Sequence, residues 1–361
     1  MPSTRKRLAR GRRAVMAAFA GAVLVLTAAQ VPAHADESNW SSYDGNQARV
    51  RSGVYSVTIG GASYEVARGT DDNVWFRYNG GSWNQLNGDP ATRTTSPPRI
   101  IEFPPGRAMT VVRGLDGEIW YSQVNNGALN SWTPWTRLPA GANAIGSPLL
   151  TLSPATGALM IEVPNANRVL SYTFLNNYPG GLTSYGWTVD NHVLLGTNAT
   201  DLEGDSQIAI YGTEYYNSVL RNFITGSDHR VWRETLNPST GAVLHLEEVN
   251  GGAECTTGVA AAHLGSQTTV VAPGQTGFAE QQRVLIACVG NDGYVWESMS
   301  SDGGLTFDGW RHPSGTLAPS VSTPAIAPTP FSSNTWTLNV RWNGARDSLF
   351  PGDSIVAKVI R

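Results

Sequence analysis

The chain has 361 residues, with 25 Lys and Arg against 28 Asp and Glu, a formal net charge of −3 at pH 7. Six of the basic residues (Arg5, Lys6, Arg7, Arg10, Arg12, Arg13) precede residue 14, so the remainder carries a net −9 and one lysine, Lys358. So acidic and lysine-poor a surface argues against nucleic acid and anionic membranes as partners. Charged residues make up 15 %, below the usual ~25 %, and turn-forming residues take their place.

The basic cluster is followed by an apolar run from Ala14 to about Ala29 and by Ala33-His34-Ala35. That order reads as a secretory signal peptide over 1–35, cleaved after Ala35, and the run is too short for a membrane span. The expected product is a secreted protein of one domain, residues 36–361, without membrane insertion. At its start, Asn39-Trp40-Ser-Ser-Tyr43 reads as an outer strand that closes the fold; Ser354–Ile360 could fill the same slot.

Beyond residue 35 no helical periodicity is found. Short β-branched and aromatic runs alternate with Gly, Asn and Pro turns, and one turn repeats. Gly69–Trp75 is GTDDNVW, Gly114–Trp120 GLDGEIW, Gly226–Trp232 GSDHRVW and Gly290–Trp296 GNDGYVW, all G-x-D-x-x-[VI]-W. Pro164–Leu170 and Gly344–Phe350 are weaker copies. The closing residues of the six copies stand 45, 50, 62, 64 and 54 positions apart. A unit of ~40–50 residues made of a few short strands is the pattern of propeller blades, longer units carrying inserted loops such as Asn191–Gln207. The second unit displays the pattern most fully: strands over 97–103, 108–113 and around Ile119-Trp120-Tyr121, an Asn126-Gly127 loop, and an outer strand over 132–138. The expectation is an all-β propeller of six four-stranded blades closed by the N-terminal strand.

A second repeat places a tryptophan after a turn residue: Trp83, Trp135, Trp187 and Trp310. Cys255 and Cys288 lie in one unit, and in an exported chain they are expected to form a disulfide. His192, His229, His245, His263 and His312 have no metal-ligand spacing, and Asp201-Leu-Glu203-Gly-Asp205 opens like a calcium loop but has Gly212 where the closing Glu belongs. No glycine loop precedes a helix, so neither a metal nor a cofactor is expected.

Ser300–Phe307, SSDGGLTF, resembles the Asp-box of sialidase-like propellers through Ser300, Asp302, Gly304, Thr306 and Phe307. The G-x-D-G-x-[VI]-W turn with its outer Trp resembles the blades of bacterial propeller lectins, which bind fucose and related sugars, and of tectonin-like repeats. The resemblance implies a propeller, with the Asp-box a folding element away from the active face. It also implies glycan or glycoconjugate partners. Sugars stack their C–H faces on aromatic rings and hydrogen-bond to carboxylates. Candidate ligand residues are therefore Trp83, Trp132, Trp135 and Trp310, with Asp71, Asp116, Asp228 and Asp292. Trp75, Trp120, Trp232 and Trp296 suit packing between blades. Two alternatives stand beside this reading. One is an exo-acting glycoside hydrolase of sialidase type, for which Arg68, Arg99, Arg113, Arg341 and Glu214-Tyr215-Tyr216 would supply the parts. The other is an extracellular scaffold for a protein partner.

Overall fold

The computed structural model describes residues 41–42, 50–86, 93–94, 96–125, 128–153, 156–167, 169–179, 181–189, 206–210, 219–226, 228–249, 251–252, 254–270, 278–313, 320, 324–328, 336–341 and 355–360. The sequence expectations that lie outside these residues are the signal peptide, Asn39-Trp40 and Tyr43, the Asn126-Gly127 loop, His192, the Asp201–Asp205 loop, Gly212, Glu214-Tyr215-Tyr216 and the weak copy Gly344–Phe350.

The described strands are grouped in six antiparallel sheets. β1 (Ser41–Ser42) belongs with the C-terminal strands. β2 (Tyr55–Ile59), β3 (Ala62–Arg68), β4 (Val74–Tyr78) and β5 (Asn84–Gln85) form the first sheet in that order. The second contains β6 (Arg99–Glu102), β7 (Ala108–Arg113), β8 (Ile119–Asn125), β9 (Ala128–Trp132) and β10 (Thr136–Arg137), with β9 and β10 both paired to β8. In the third, β11 (Leu149–Leu152), β12 (Leu159–Pro164) and β13 (Leu170–Tyr178) precede β14 (Gly181–Ser184) and β15 (Thr188–Val189), which share β13. β16 (Ser206–Ile210), β17 (Val219–Thr225), β18 (Val231–Leu236) and β19 (Val243–Glu248) make the fourth, and β20 (Ala260–Val270), β21 (Phe278–Val289) and β22 (Val295–Ser300) the fifth. The sixth runs β23 (Ala325–Pro328), β24 (Trp336–Arg341), β25 (Ile355–Ile360), β1.

The architecture is an all-β propeller, and two expectations are corrected. Among the described residues five sheets reach four strands or more, whereas the fifth in chain order stops at three, so the complete blades number five rather than six. The cause is local. Gly303, Gly304 and Gly309 take positive φ, and the chain that follows meets β22 through one bond, Asp308 N to Met299 O at 2.9 Å, and one isolated bridge, Glu297↔Arg311, without forming a ladder. The single outer strand expected over 132–138 is split into β9 and β10, because Pro134 falls between them and has no N–H to continue a ladder. At the other end of the chain, Ser41 and Ser42 pair with Ala357 and Val356.

Middle strands are buried on both faces. β12 is buried along its whole length and β7 in all but its last residue, as expected when a neighbouring sheet covers each side. The core is therefore a series of layers between consecutive sheets. Tyr64, Val66 and Phe76 meet Ala108, Val112 and Trp132; Met109, Val111 and Ile119 meet Leu159, Ile161 and Val163. Phe223 and Val231 meet Val284 and Ile286, and Leu285 and Val295 meet Ile326 and Leu338.

Candidate functional site

The repeated turn explains its own sequence. Asp71 Oδ1 accepts from Asn73 N at 3.1 Å and from the indole Nε1 of Trp75 at 3.0 Å. Asp116, Asp228 and Asp292 repeat this with Trp120, Trp232 and Trp296 at 3.2–3.3 Å. The Cδ1 and Nε1 atoms of the indole then lie against the first glycine. A Cβ on Gly69 would stand 2.5 Å from both Asp71 Oδ1 and Trp75 Cδ1, and one on Gly290 would stand 2.7 Å from Trp296 Cδ1. Glycine is required there for contact, not for its φ. Gly69→Ala is accordingly expected to destabilise the fold by about 1–3 kcal/mol through overpacking. Urea titration at unchanged m reads this loss, and a shift below ~0.5 kcal/mol would mean that the ring swings aside freely.

The fourth residue of the turn has a separate duty. Asp72, Gly117, His229 and Gly293 all take left-handed φ, between +63° and +78°. Each carbonyl accepts from the linker that leads into the next sheet: Thr94 N at 2.8 Å, Ala144 N at 2.8 Å, Cys255 N at 2.6 Å and Ser320 N at 3.0 Å. In the weak copy, Asn165 Oδ1 accepts from Asn167 N at 2.8 Å in place of the missing Asp. The carboxylates nominated as sugar ligands thus first hold their own turns. Burial alone would push the Asp71 carboxyl up, but hydrogen bonds from Asn73 and Trp75 outweigh it and hold the group below the usual range.

The outer tryptophans pack between sheets. Trp135 Nε1 donates to Leu86 O at 3.4 Å and Trp187 Nε1 to Pro139 O at 2.8 Å, each reaching the end of the preceding sheet. Trp83 packs on Val50, Val54 and Ala67, with the Arg77 guanidinium 5.0 Å from its ring centroid. Trp132, only 6 % exposed, stands edge-on to Phe76 at 5.6 Å and to Tyr64 at 6.4 Å. Of the eight nominated residues, Asp292 and Trp310 come together in one cavity. Arg68, a candidate for a substrate carboxylate, is held by Asp72 at 2.7 Å.

That cavity, about 420 Å³, lies where the fourth sheet passes into the fifth. Its floor is Gly251-Gly252, against which Trp310 is laid so closely that a Cβ on Gly251 would stand 2.9 Å from Trp310 Cδ1. Trp296 and Trp310 supply the aromatic walls, and Glu254, Asn291 and Asp292 the polar groups. Asn291 Nδ2 donates to Glu254 Oε2, joining the two sides. Behind the wall, His312 lies tilted by 43° against Trp296 with centroids 4.0 Å apart and brings Nε2 to 3.4 Å from Asp292 Oδ2.

One covalent bond holds the walls in register. Cys255 and Cys288 are disulfide-bonded, with Cα atoms 5.8 Å apart. Cys255 follows Glu254 and bridges Gly290, while Thr256 N donates to Val289 O at 2.7 Å. Glu254 is thereby fixed beside the turn that presents Asn291 and Asp292. Sequence reading missed Glu254 and Asn291, which carry no repeating signal; the cysteine beside Glu254 was the only pointer.

The Ser300–Phe307 stretch lies at the other end of β22. Asp302 accepts from Leu305 N and Thr306 N, both at 2.9 Å, and from Thr306 Oγ1 at 2.6 Å, while Gly304 N donates to Ser300 Oγ at 2.8 Å. Burial raises the Asp302 carboxyl, and the bonds from Thr306, Ser300 and Leu305 bring it below its ordinary value. Phe307 packs edge-on to Phe223 at 5.8 Å. The buried guanidiniums of Arg221 and Arg233 cap the carbonyls of Gly303 and Gly304 respectively, tying the turn to the fourth sheet. Burial, with Arg233 alongside, pushes Arg221 down to about 10.

No family model and no curated protein matches the chain. Solved structures do. A mutant of AofleA from Arthrobotrys oligospora is similar over 90 % of this chain and 87 % of its own, at 9 % identity and TM-score 0.58. The SapL1 lectin, solved in complex with alpha methyl fucoside, is similar over 81 % and 89 %, at 13 % identity and TM-score 0.50. The NanB sialidase from Streptococcus pneumoniae is similar over 89 % and 69 %, at 10 % identity and TM-score 0.50. At such identities the likeness establishes the fold, a β-propeller.

Proposed function

We propose that the protein is a secreted carbohydrate-binding propeller whose ligand enters the Trp296–Trp310 cavity. The carrying observation is that cavity: two indoles for the C–H faces of a sugar, with Glu254, Asn291 and Asp292 for its hydroxyls, held in register by a disulfide. The disulfide also suits an exported chain. Residues 36–361 form one domain in this reading, a ring closed by the N-terminal strand. Support for the ring comes from the first strands of the sheets, since β2 neighbours both β6 and β23, and from β1 alongside β25. Ser300–Phe307 serves as an Asp-box that builds the fold and stays clear of the ligand.

A glycan array with the purified protein tests the proposal, with and without EDTA. Binding to a narrow glycan set, competed by the free sugar, is expected. Trp310→Ala should weaken it by about 10- to 100-fold, the range for a buried aromatic anchor. Glu254→Gln should weaken it less and leave stability unchanged. A blank array, or full affinity in both variants, would sink the proposal. The remaining readings would then be a sialidase-type hydrolase, read by turnover of a chromogenic sialoside, or a scaffold, read by capture of a defined extracellular partner.

A further inference from the structure

A second concavity, about 500 Å³, lies at the junction of the first and second sheets. It is reached where β4 turns into β5, through Tyr78, Gly81 and Ser82, and at the end of β9, through Asn130, Ser131 and Trp132. In an antiparallel meander the turn from second to third strand and the turn from third to fourth lie at opposite ends of the sheet. The Trp296–Trp310 cavity is built on a turn of the first kind, Gly290–Gly293, and this groove on turns of the second.

Its chemistry differs as well. Among the described residues no charged side chain lines the groove. The polar groups are three exposed amides, Asn84, Gln85 and Asn130, with the Ser82 and Ser131 hydroxyls. Asn84 Nδ2 donates to Ser82 O at 2.8 Å, which aims that side chain along the groove. The amides of Gln85 and Asn130 have no partner among the described residues. Facing them is an aromatic wall whose members brace one another: Trp132 against Phe76 at 5.6 Å and Tyr78 against Tyr64 at 5.2 Å. Such a wall is ordered before any ligand arrives.

An amide both donates and accepts, as a hydroxyl does, so neighbouring amides suit a vicinal diol, and the aromatic edge suits the ring C–H groups beside it. With no cation among the described lining residues, a carboxylate or phosphate would exchange its hydration for neutral donors alone. The volume lies within the ~300–1,000 Å³ of small-ligand sites. We infer that this groove is a second ligand site, one that takes an uncharged pyranoside. It goes beyond the Trp296–Trp310 proposal and does not depend on it.

The test is a titration of the purified protein with methyl α-D-mannopyranoside, methyl β-D-galactopyranoside and methyl α-L-fucopyranoside, each alone, followed by NMR of side-chain amide and indole N–H signals. At least one glycoside is expected to shift the Gln85 and Asn130 amides saturably, with a Kd on the order of 1 mM. The same shifts should persist in Trp310→Ala, which separates this site from the other. In the double variant Gln85→Ala, Asn130→Ala the affinity read on the Trp132 indole should fall at least about ten-fold, with the unfolding midpoint unchanged. N-Acetylneuraminic acid should leave the Gln85 and Asn130 signals in place. Unmoved amides with all three glycosides would overturn the inference. So would shifts abolished by Trp310→Ala, or equal shifts with the charged sugar.

Discussion

Replacing Arg77 by methionine is expected to lower stability by about 3–5 kcal/mol, the cost of stranding one member of a buried ion pair. Arg77 and Glu65 stand directly opposite each other on β4 and β3, 9 % and 1 % exposed. The guanidinium donates through Nε to Oε2 at 2.5 Å and through Nη2 to Oε1 at 2.9 Å. Its far side lies over Trp83, which packs against Val50, Val54 and Ala67, so the same side chain also braces the start of the first sheet. The double variant Glu65→Gln, Arg77→Met should recover much of the loss, because no charge is then left buried. By contrast, breaking the exposed Arg230–Glu248 pair, 53 % and 34 % exposed, should change stability by less than about 1 kcal/mol. Urea midpoints of the four proteins decide the matter. A loss under 1 kcal/mol in Arg77→Met would mean that Glu65 finds water or another partner in the folded state.

Removing the disulfide, as Cys255→Ser with Cys288→Ser, should cost about 3–4 kcal/mol. The two cysteines are 33 positions apart, and the loop-closure entropy of a crosslink that long lies in this range. A second effect is expected on ligand binding. Glu254 is held beside Asn291 by the bond at the next residue, so the reduced form should bind its glycan less tightly even where it remains folded. Denaturation with and without reductant reads the first effect, and glycan affinity at a temperature well below the reduced protein's midpoint reads the second. Unchanged affinity in a folded, reduced protein would show that the backbone bonds of Cys255 and Thr256 suffice to hold the cavity. A stability loss below 1 kcal/mol would show that the unfolded chain is already compact around this loop.

Much of the fold was legible in the sequence, and the reason is visible in the repeated turn. Asp71, Asn73 and Trp75 satisfy one another within five positions, so the partners of each turn are encoded side by side. Strand ends followed from these turns, as at β7, whose bounds match the expected Ala108–Arg113. The outer region of the second sheet was misread because a proline within it divides one apolar run into two strands. The missing fourth strand of the fifth sheet was hidden for a related reason. Three glycines permitted a path that spacing alone cannot distinguish from a hairpin.

The candidate site was legible only in part. Asp292 and Trp310 belong to repeats, and repetition drew attention equally to Trp83 and Trp135, which the fold uses as packing. Glu254 and Asn291 have no such signal; they are 37 positions apart and meet because a linker is clamped between two successive turns. By itself, then, the sequence determined the local units: where a turn forms, which tryptophan covers which glycine, and that the units repeat as sheets. Only the tertiary structure decided which units face one another. It laid Trp310 on Gly251 and set Arg221 over a carbonyl 82 positions away. The physical reason is range. Hydrogen bonds within a turn are chosen by neighbours in the chain, whereas the contacts between sheets depend on strand order and on one disulfide, which no short spacing encodes.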